Sequence, residues 1–219
     1  SSADYHHTET KLLQPQFRNY SDAYWDKRVM APSCLLYYVG INKKLNKVPH
    51  HTLFFDTDFK QHGREIYTDP QWPANPLFYV SVTTVTDSSG APPGCENMFF
   101  LIPVAADLSG DSQEIREQYF QMIVNRFEER TGESIKDNII FKQSFSVSDF
   151  KNEYNSFKGN AYGLANTLLQ TANLKPACKS KKVSNLYFTG QLTVPGPGVP
   201  PSLISGEVVA GLIHKEFKH

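Results

Sequence analysis

The residues best suited to chemistry lie in one C-terminal segment, Asn185-Leu-Tyr-Phe-Thr-Gly-Gln-Leu-Thr-Val-Pro-Gly-Pro-Gly-Val-Pro-Pro-Ser-Leu-Ile-Ser-Gly-Glu-Val-Val-Ala210. An apolar run, Asn185 to Thr189, reads as a strand that ends at Gly190, where a missing side chain lets a ligand approach the backbone. Gly196 and Gly198 carry the chain across a turn stiffened by prolines. Pro201 suits the first turn of a helix, whose leading N–H groups have no partner within the helix. Such a helix aims its free N–H groups and positive dipole end back at the strand terminus. A phosphate or the electron-rich edge of a reduced cofactor ring would be stabilised there. From these physical grounds alone, a strand–turn–helix without any ligand is equally compatible, since Gly/Pro turns are common.

Other constellations carry less. His50 and His51 precede Asp56 and Asp58, a mixture of metal-ligating types. Adjacent histidines are expected to diverge, however, and no third ligand follows at a suitable spacing, so no metal is predicted. His6-His7 reads the same way. Asp149 and Glu153 fall four apart, the spacing of one helix face, and read as a solvated face rather than an acid–base pair. No Ser/His/Asp order or isolated activated cysteine stands out, and no catalytic residue is assigned.

The elements that must position the C-terminal segment follow from composition and period. Runs at 33–40, 52–55, 77–86 and 97–105 are apolar, aromatic or β-branched and predict strands. A fifth strand is expected at 138–146. Between them, Ile115, Tyr119, Ile123 and Phe127 recur every four residues, predicting an amphipathic helix over 111–130. Asp111 and Glu114 resemble a capping box at its start, and Gly132 closes its end. A loop with a short helix near 164–172 is expected next, and a final helix from Pro201 to about Lys215. The fold class is α+β: an antiparallel or mixed sheet under covering helices. Three segments result: 1–20, 21–150 as a sheet domain, and 151–219 carrying the strand–turn–helix.

Lys+Arg and Asp+Glu both number 22. A chain of zero formal net charge exerts no general pull on nucleic acid, and none is expected as a partner. Three scattered cysteines argue against a disulfide framework and for a reducing, cytoplasmic setting. Met98 to Ala106, the longest apolar run, is about half of what a membrane span requires. The polar opening Ser1-Ser2-Ala3-Asp4 has no Met and reads as a loop leaving a strand, so an excised fragment is expected. The 15 Phe, 11 Tyr and 2 Trp suit an apolar cavity as well as an ordinary core.

Asn185 to Ala210 resembles the C-terminal flavin-binding signature of bacterial and fungal phytoene desaturases, matching at Gly190, Pro195, Gly196, Gly198, Val199 and Pro200. Gln191 stands where related flavoenzymes of the amine-oxidase superfamily often carry an acidic residue. Ala3-Asp4-Tyr5-His6, Tyr24-Trp25, His50-His51-Thr52, Phe54-Phe55-Asp56, Leu77-Phe78-Tyr79-Val80, Gly94-Cys95-Glu96-Asn97 and Gly159-Asn160-Ala161-Tyr162-Gly163-Leu164 resemble other blocks of that family, in order. The resemblance implies an FAD-dependent oxidoreductase acting on a long apolar isoprenoid at a membrane surface. It places Gly190, Gln191, Pro197, Gly198, Val199 and Pro200 at the cofactor.

That family also opens on a strand–GxGxxG–helix holding the ADP half of FAD. No GxGxxG occurs here, so the Rossmann-like flavin domain is expected to be absent, its site incomplete and the fragment alone inactive. Two further readings stand beside it. One is a carotenoid isomerase or other flavoenzyme on the same scaffold. The other is a non-catalytic lipid- or carotenoid-binding module.

Overall fold

A computed structural model describes residues 1–218. Its helices are α1 (Tyr5–His7), α2 (Asp22–Asp26), α3 (Phe59–Tyr67), α4 (Gln113–Thr131), α5 (Val147–Tyr154) and α6 (Val199–Glu216). Its strands are β1 (Ser33–Ile41), β2 (His51–Phe54), β3 (Phe78–Ser81), β4 (Glu96–Val104) and β5 (Ile139–Phe145). Two compact units divide the chain, Ser33–Val147 and a unit built from Ser1–Pro32 with Ser148–His219.

Ser33–Val147 is a five-stranded sheet in the order β2-β3-β4-β1-β5, antiparallel at every pairing. Strand alternation sends Leu35, Tyr37, Val80, Phe100 and Ile102 to one face, where they meet Tyr119, Phe120, Ile123, Val124 and Phe127 of α4 in a single core. The four-residue apolar period of α4 therefore buries as expected. Its start differs from the sequence expectation. Ser112 is the N-cap, its side chain accepting from the Ile115 N–H. Asp111 instead grips Arg116 with two hydrogen bonds, at 2.7 and 2.8 Å. Gly132 at φ 69° ends the helix in the left-handed conformation.

The strand expected over 77–86 stops at Ser81. Thr83–Val85 forms a 3-10 turn, and the Thr84 hydroxyl accepts from the Asn97 N–H at 3.2 Å. A threonine side chain thus occupies the partner that a continuing ladder would have used.

The second unit gathers Tyr5, Tyr20, Trp25 and Phe188 into an aromatic cluster, with Tyr5 stacked on Phe188 at 3.7 Å. Buried Glu9 is satisfied inside it, accepting from the Asn19 N–H and the Trp25 indole.

Two expectations fail in this unit. No helix forms over 164–172. Leu168 and Leu169 are 90% and 79% exposed, so no apolar stripe is buried to hold one. Instead Leu164 bridges Met30, and the Gln170 amide exchanges hydrogen bonds of 2.9 and 2.8 Å with the Val29 backbone. Asn185 to Thr189 is not a strand: Asn185 lies in a turn closed by the Leu186 N–H on Val183 C=O. Its ladder to Cys178–Ser180 is cut to a single bridge, Lys179 with Tyr187, because Ser180 Oγ accepts from Lys182 and Val183 N–H and turns the chain. On its other side, Tyr187 C=O and Thr189 N–H bond to Ser1 in the pattern of parallel neighbours.

Candidate functional site

The Gly/Pro segment lies wholly within the second unit. Gly190 has φ 109° and Gly198 φ 101°, a region that L side chains rarely adopt. A Cβ built at Gly190 would meet nothing within 4 Å. The open space beside it belongs to a cavity of about 560 Å³ whose lining includes Asp4, Asn160, Gly190, Gln191 and Ser202. Ser205, fully buried in α6, accepts from the Gly190 N–H at 2.8 Å and donates to Ser202 C=O at 2.6 Å. The chain is thereby clamped to α6 at its bend. The Gln191 amide donates to Asn160 Oδ1 at 3.2 Å, and the same oxygen accepts from the Gly163 N–H at 2.6 Å.

Gly163 must be glycine for another reason: a Cβ there would overlap the Gln191 carbonyl. Asp4 anchors the opposite wall, its two oxygens accepting from the N–H groups of His7 and Phe157 at 2.9 and 3.1 Å. Burial of Asp4 raises its pKa above the usual carboxylate value, against the lowering effect of those donors.

α6 starts at Val199, two residues before the sequence expectation, with Gly198 as N-cap. Pro200 and Pro201 have no N–H, and the Ser202 N–H already bonds Gly198 C=O at 3.0 Å. The helix start therefore offers the Val199 N–H and the dipole, not a full set of free donors. Its far end is tied down where Glu216 pairs with Lys179 and accepts from the Tyr187 hydroxyl at 2.5 Å.

Of the residues assigned from sequence, Gly190 and Gln191 line the cavity. Pro197, Gly198, Val199 and Pro200 form the approach to α6 and are not among the lining residues. Sequence reasoning missed Ser202 and Ser205, whose spacing of three on a helix was the available signal. Asn160 was seen only as part of a block. Elsewhere, the rings of His50 and His51 stack at 4.0 Å, contrary to the expected divergence, because His50 precedes the pleat of β2. They bond Thr86 and Tyr79 hydroxyls at 2.7 and 2.5 Å. Among the described residues no group of three His, Cys, Asp or Glu could hold a metal.

An isoalloxazine edge fits this arrangement. Open space beside a positive-φ glycine, amide and hydroxyl groups set beside the carboxyl groups of Asp4 and Glu153, and the positive end of an 18-residue helix would receive the edge of a flat ring. Gly190 and Gln191 would hold it.

The fold is shared with the crystal structure of an oxidoreductase from Methanosarcina mazei, with a TM-score of 0.57 at 14% identity over 96% of this chain and 42% of that one. No family model matches the chain. Among curated proteins, it is 44% identical over 95% of its length to a carotenoid 3,4-desaturase of Haloarcula japonica, covering 42% of that protein. It is 29% identical to a 4,4'-diapophytoene desaturase of Staphylococcus haemolyticus and 28% identical to a lycopene-forming phytoene desaturase of Pantoea ananas, covering 45% of each. The chain belongs to the phytoene desaturase family, and it spans a little under half the length of the relatives it matches.

Proposed function

We propose that this chain is the C-terminal part of an FAD-dependent desaturase that introduces double bonds into phytoene or a similar long isoprenoid. The observation that carries the reading is Gly190, a positive-φ glycine whose open side faces a cavity at the start of α6, in a chain of this family. Bound FAD would accept hydride from a substrate C–H, while the neighbouring carbon loses a proton and the two carbons become doubly bonded. The chain's own residues bind and orient. Gly190 lets the cofactor ring reach the backbone, Ser205 holds that backbone still, and the start of α6 favours negative charge opposite it.

The substrate needs a dry apolar surface. Tyr38, Tyr79, Phe99 and Leu101 lie on the sheet face opposite α4, with Tyr38 and Phe99 directly paired and their rings 5.4 Å apart. That face suits a polyene. No helix among the described residues is long and apolar enough to cross a membrane. Attachment to a membrane surface is the mode we assign for collecting an insoluble substrate.

The test is to incubate the full-length protein with FAD, phytoene and liposomes and to record product absorption. Bands at longer wavelength, from added conjugated double bonds, are expected. An isomerase would alter geometry without adding double bonds. A carrier would return phytoene unchanged, and either result overturns the reading.

A further inference from the structure

A second groove of the unit that holds α6, about 260 Å³ in volume, has no part in the site described above and shares only Ser156 with the lining of the cavity at Gly190. Its lining includes His6, His7, Lys11, Lys151, Asn155 and Lys158, and none of the described residues that line it is acidic. The carboxylates nearby are committed or lie elsewhere. Asp4 accepts from the His7 and Phe157 N–H groups. Asp22 and Asp26 act on His6 through space but do not line the groove. Lys11 makes no hydrogen bond or ion pair among the described residues. The Lys158 ammonium is held by neutral groups, donating to Asp26 C=O at 3.2 Å and standing 5.2 Å from the centre of the Phe157 ring.

The backbone of the groove is unusual as well. Asn155 and Lys158 have φ of 52° and 57°, left-handed values that asparagine tolerates and lysine rarely adopts. Strain of this kind persists only where the surrounding structure enforces it, and it concentrates at binding sites. Here it sets Lys158 in the same groove as Lys11. At the rim, Leu12, beside Lys11, is 66% exposed, and Tyr154, beside Asn155, is 64% exposed. Cations flanked by exposed apolar and aromatic side chains are complementary to the interfacial layer of a bilayer, with its phosphate groups outside and its acyl chains beneath.

We propose that this groove binds the phosphate headgroups of anionic lipids and holds the protein on a bilayer, with Leu12 and Tyr154 entering the interface. The inference rests on the membrane-surface reading above and deepens it by naming the surface used and the charge of the lipid. Unpaired ammonium groups gain a partner at an anionic surface and gain little at a zwitterionic one.

The experiment uses the full-length protein with vesicles of phosphatidylcholine alone or mixed with phosphatidylglycerol, reading co-sedimentation, flavin content and melting temperature. Wild-type protein is expected to sediment with the anionic vesicles, to be released from them by salt and to bind the neutral ones weakly. Lys11→Gln and Lys158→Asn, the second keeping a residue that accepts left-handed backbone, should each weaken binding to anionic vesicles about fivefold. Flavin content and melting temperature should stay at the wild-type values. Leu12→Ser should weaken binding while leaving its salt dependence intact. Equal sedimentation of wild type and both lysine variants overturns the proposal, as does equal binding of wild type to the two kinds of vesicle. Lysine variants that lose flavin but keep vesicle binding also overturn it, since the groove would then serve the diphosphate of the cofactor. A lowered melting temperature with vesicle binding kept overturns it too, because the rest of the longer chain would then cover the groove. Sedimentation needs no reaction, so protein that binds anionic vesicles as expected but returns phytoene unchanged overturns the functional reading alone.

Discussion

At the scale of single residues, the site depends on glycines that are required for different reasons. Gly198 has room for a side chain, since a Cβ would stand 3.7 Å from Pro201 Cδ, but its φ is 101°. A β-branched residue is strained there by about 1–2 kcal/mol. Gly198→Val in the full-length protein should therefore lower flavin content and desaturation together while the fold survives. Normal flavin occupancy with normal product colour would show that the turn is only structural. Gly163→Ala should behave differently. Its methyl group would overlap the Gln191 backbone, so thermal stability should fall along with flavin content.

His62 sets a pH dependence at the same scale. Its Nδ1 accepts from the Leu77 N–H at 3.0 Å, so Nε2 carries the proton and donates to Pro103 C=O at 2.9 Å. Burial lowers its pKa below the ordinary 6.5. The unfolded chain thus binds more protons than the folded one below about pH 6.5, and stability is full above that value and falls as the pH drops. His6, half-buried, is shifted in the same direction by the same cause. Urea midpoints should decline from pH 7 to pH 5.5, and His62→Gln should flatten the decline. An unaltered slope in the variant would remove His62 from the account.

At the scale of elements, α4 holds the sheet unit together, and its ion pairs are unequal. Arg116 and Asp111 are both about 5% exposed and bond through two parallel contacts. Lys142 with Glu117, in contrast, is a half-exposed pair of small worth. Asp111→Ala removes both of these charge-assisted hydrogen bonds from a buried guanidinium and should cost about 1.5–3 kcal/mol. Glu117→Ala should cost less than about 1 kcal/mol. Denaturant unfolding of the two variants checks the contrast, and equal losses would refute it. Arg126 reinforces the same helix by pairing with Asp56, which it holds below the usual carboxylate range despite partial burial.

At the scale of the whole molecule, the chain spans under half the length of its relatives, and the residues proposed to meet the cofactor lie on one turn and one helix end. The full-length protein is expected to hold FAD far more tightly than these 219 residues do, because no glycine-rich dinucleotide loop occurs in them to bind the ADP half. Equilibrium titration of both proteins with FAD measures this. Stoichiometric yellow flavin on the 219-residue chain would refute it. α6 carries apolar side chains into solvent in this chain, with Val199 and Leu203 each more than 70% exposed, so the longer protein should also show lower binding of a hydrophobic dye per molecule.

Where the signal was periodic, the sequence alone determined the outcome. The apolar, aromatic and β-branched runs specified four of the five strands nearly to the residue, and the Ile115–Phe127 repeat specified α4, because its period matches one face of a helix. The Gly/Pro order located the bend at Gly190 and a helix soon after it. What local composition could not decide was competition for hydrogen-bond partners. Thr84 captured the Asn97 N–H and ended β3, Ser180 turned the chain and reduced 185–189 to one bridge, and Gln170 paired with Val29 where a helix was expected. In each case a short polar side chain outbid the backbone for a partner far away in sequence. Only the tertiary structure brings Ser205 to Gly190 and Lys175 to Gly196, since those contacts close loops whose geometry no local pattern encodes.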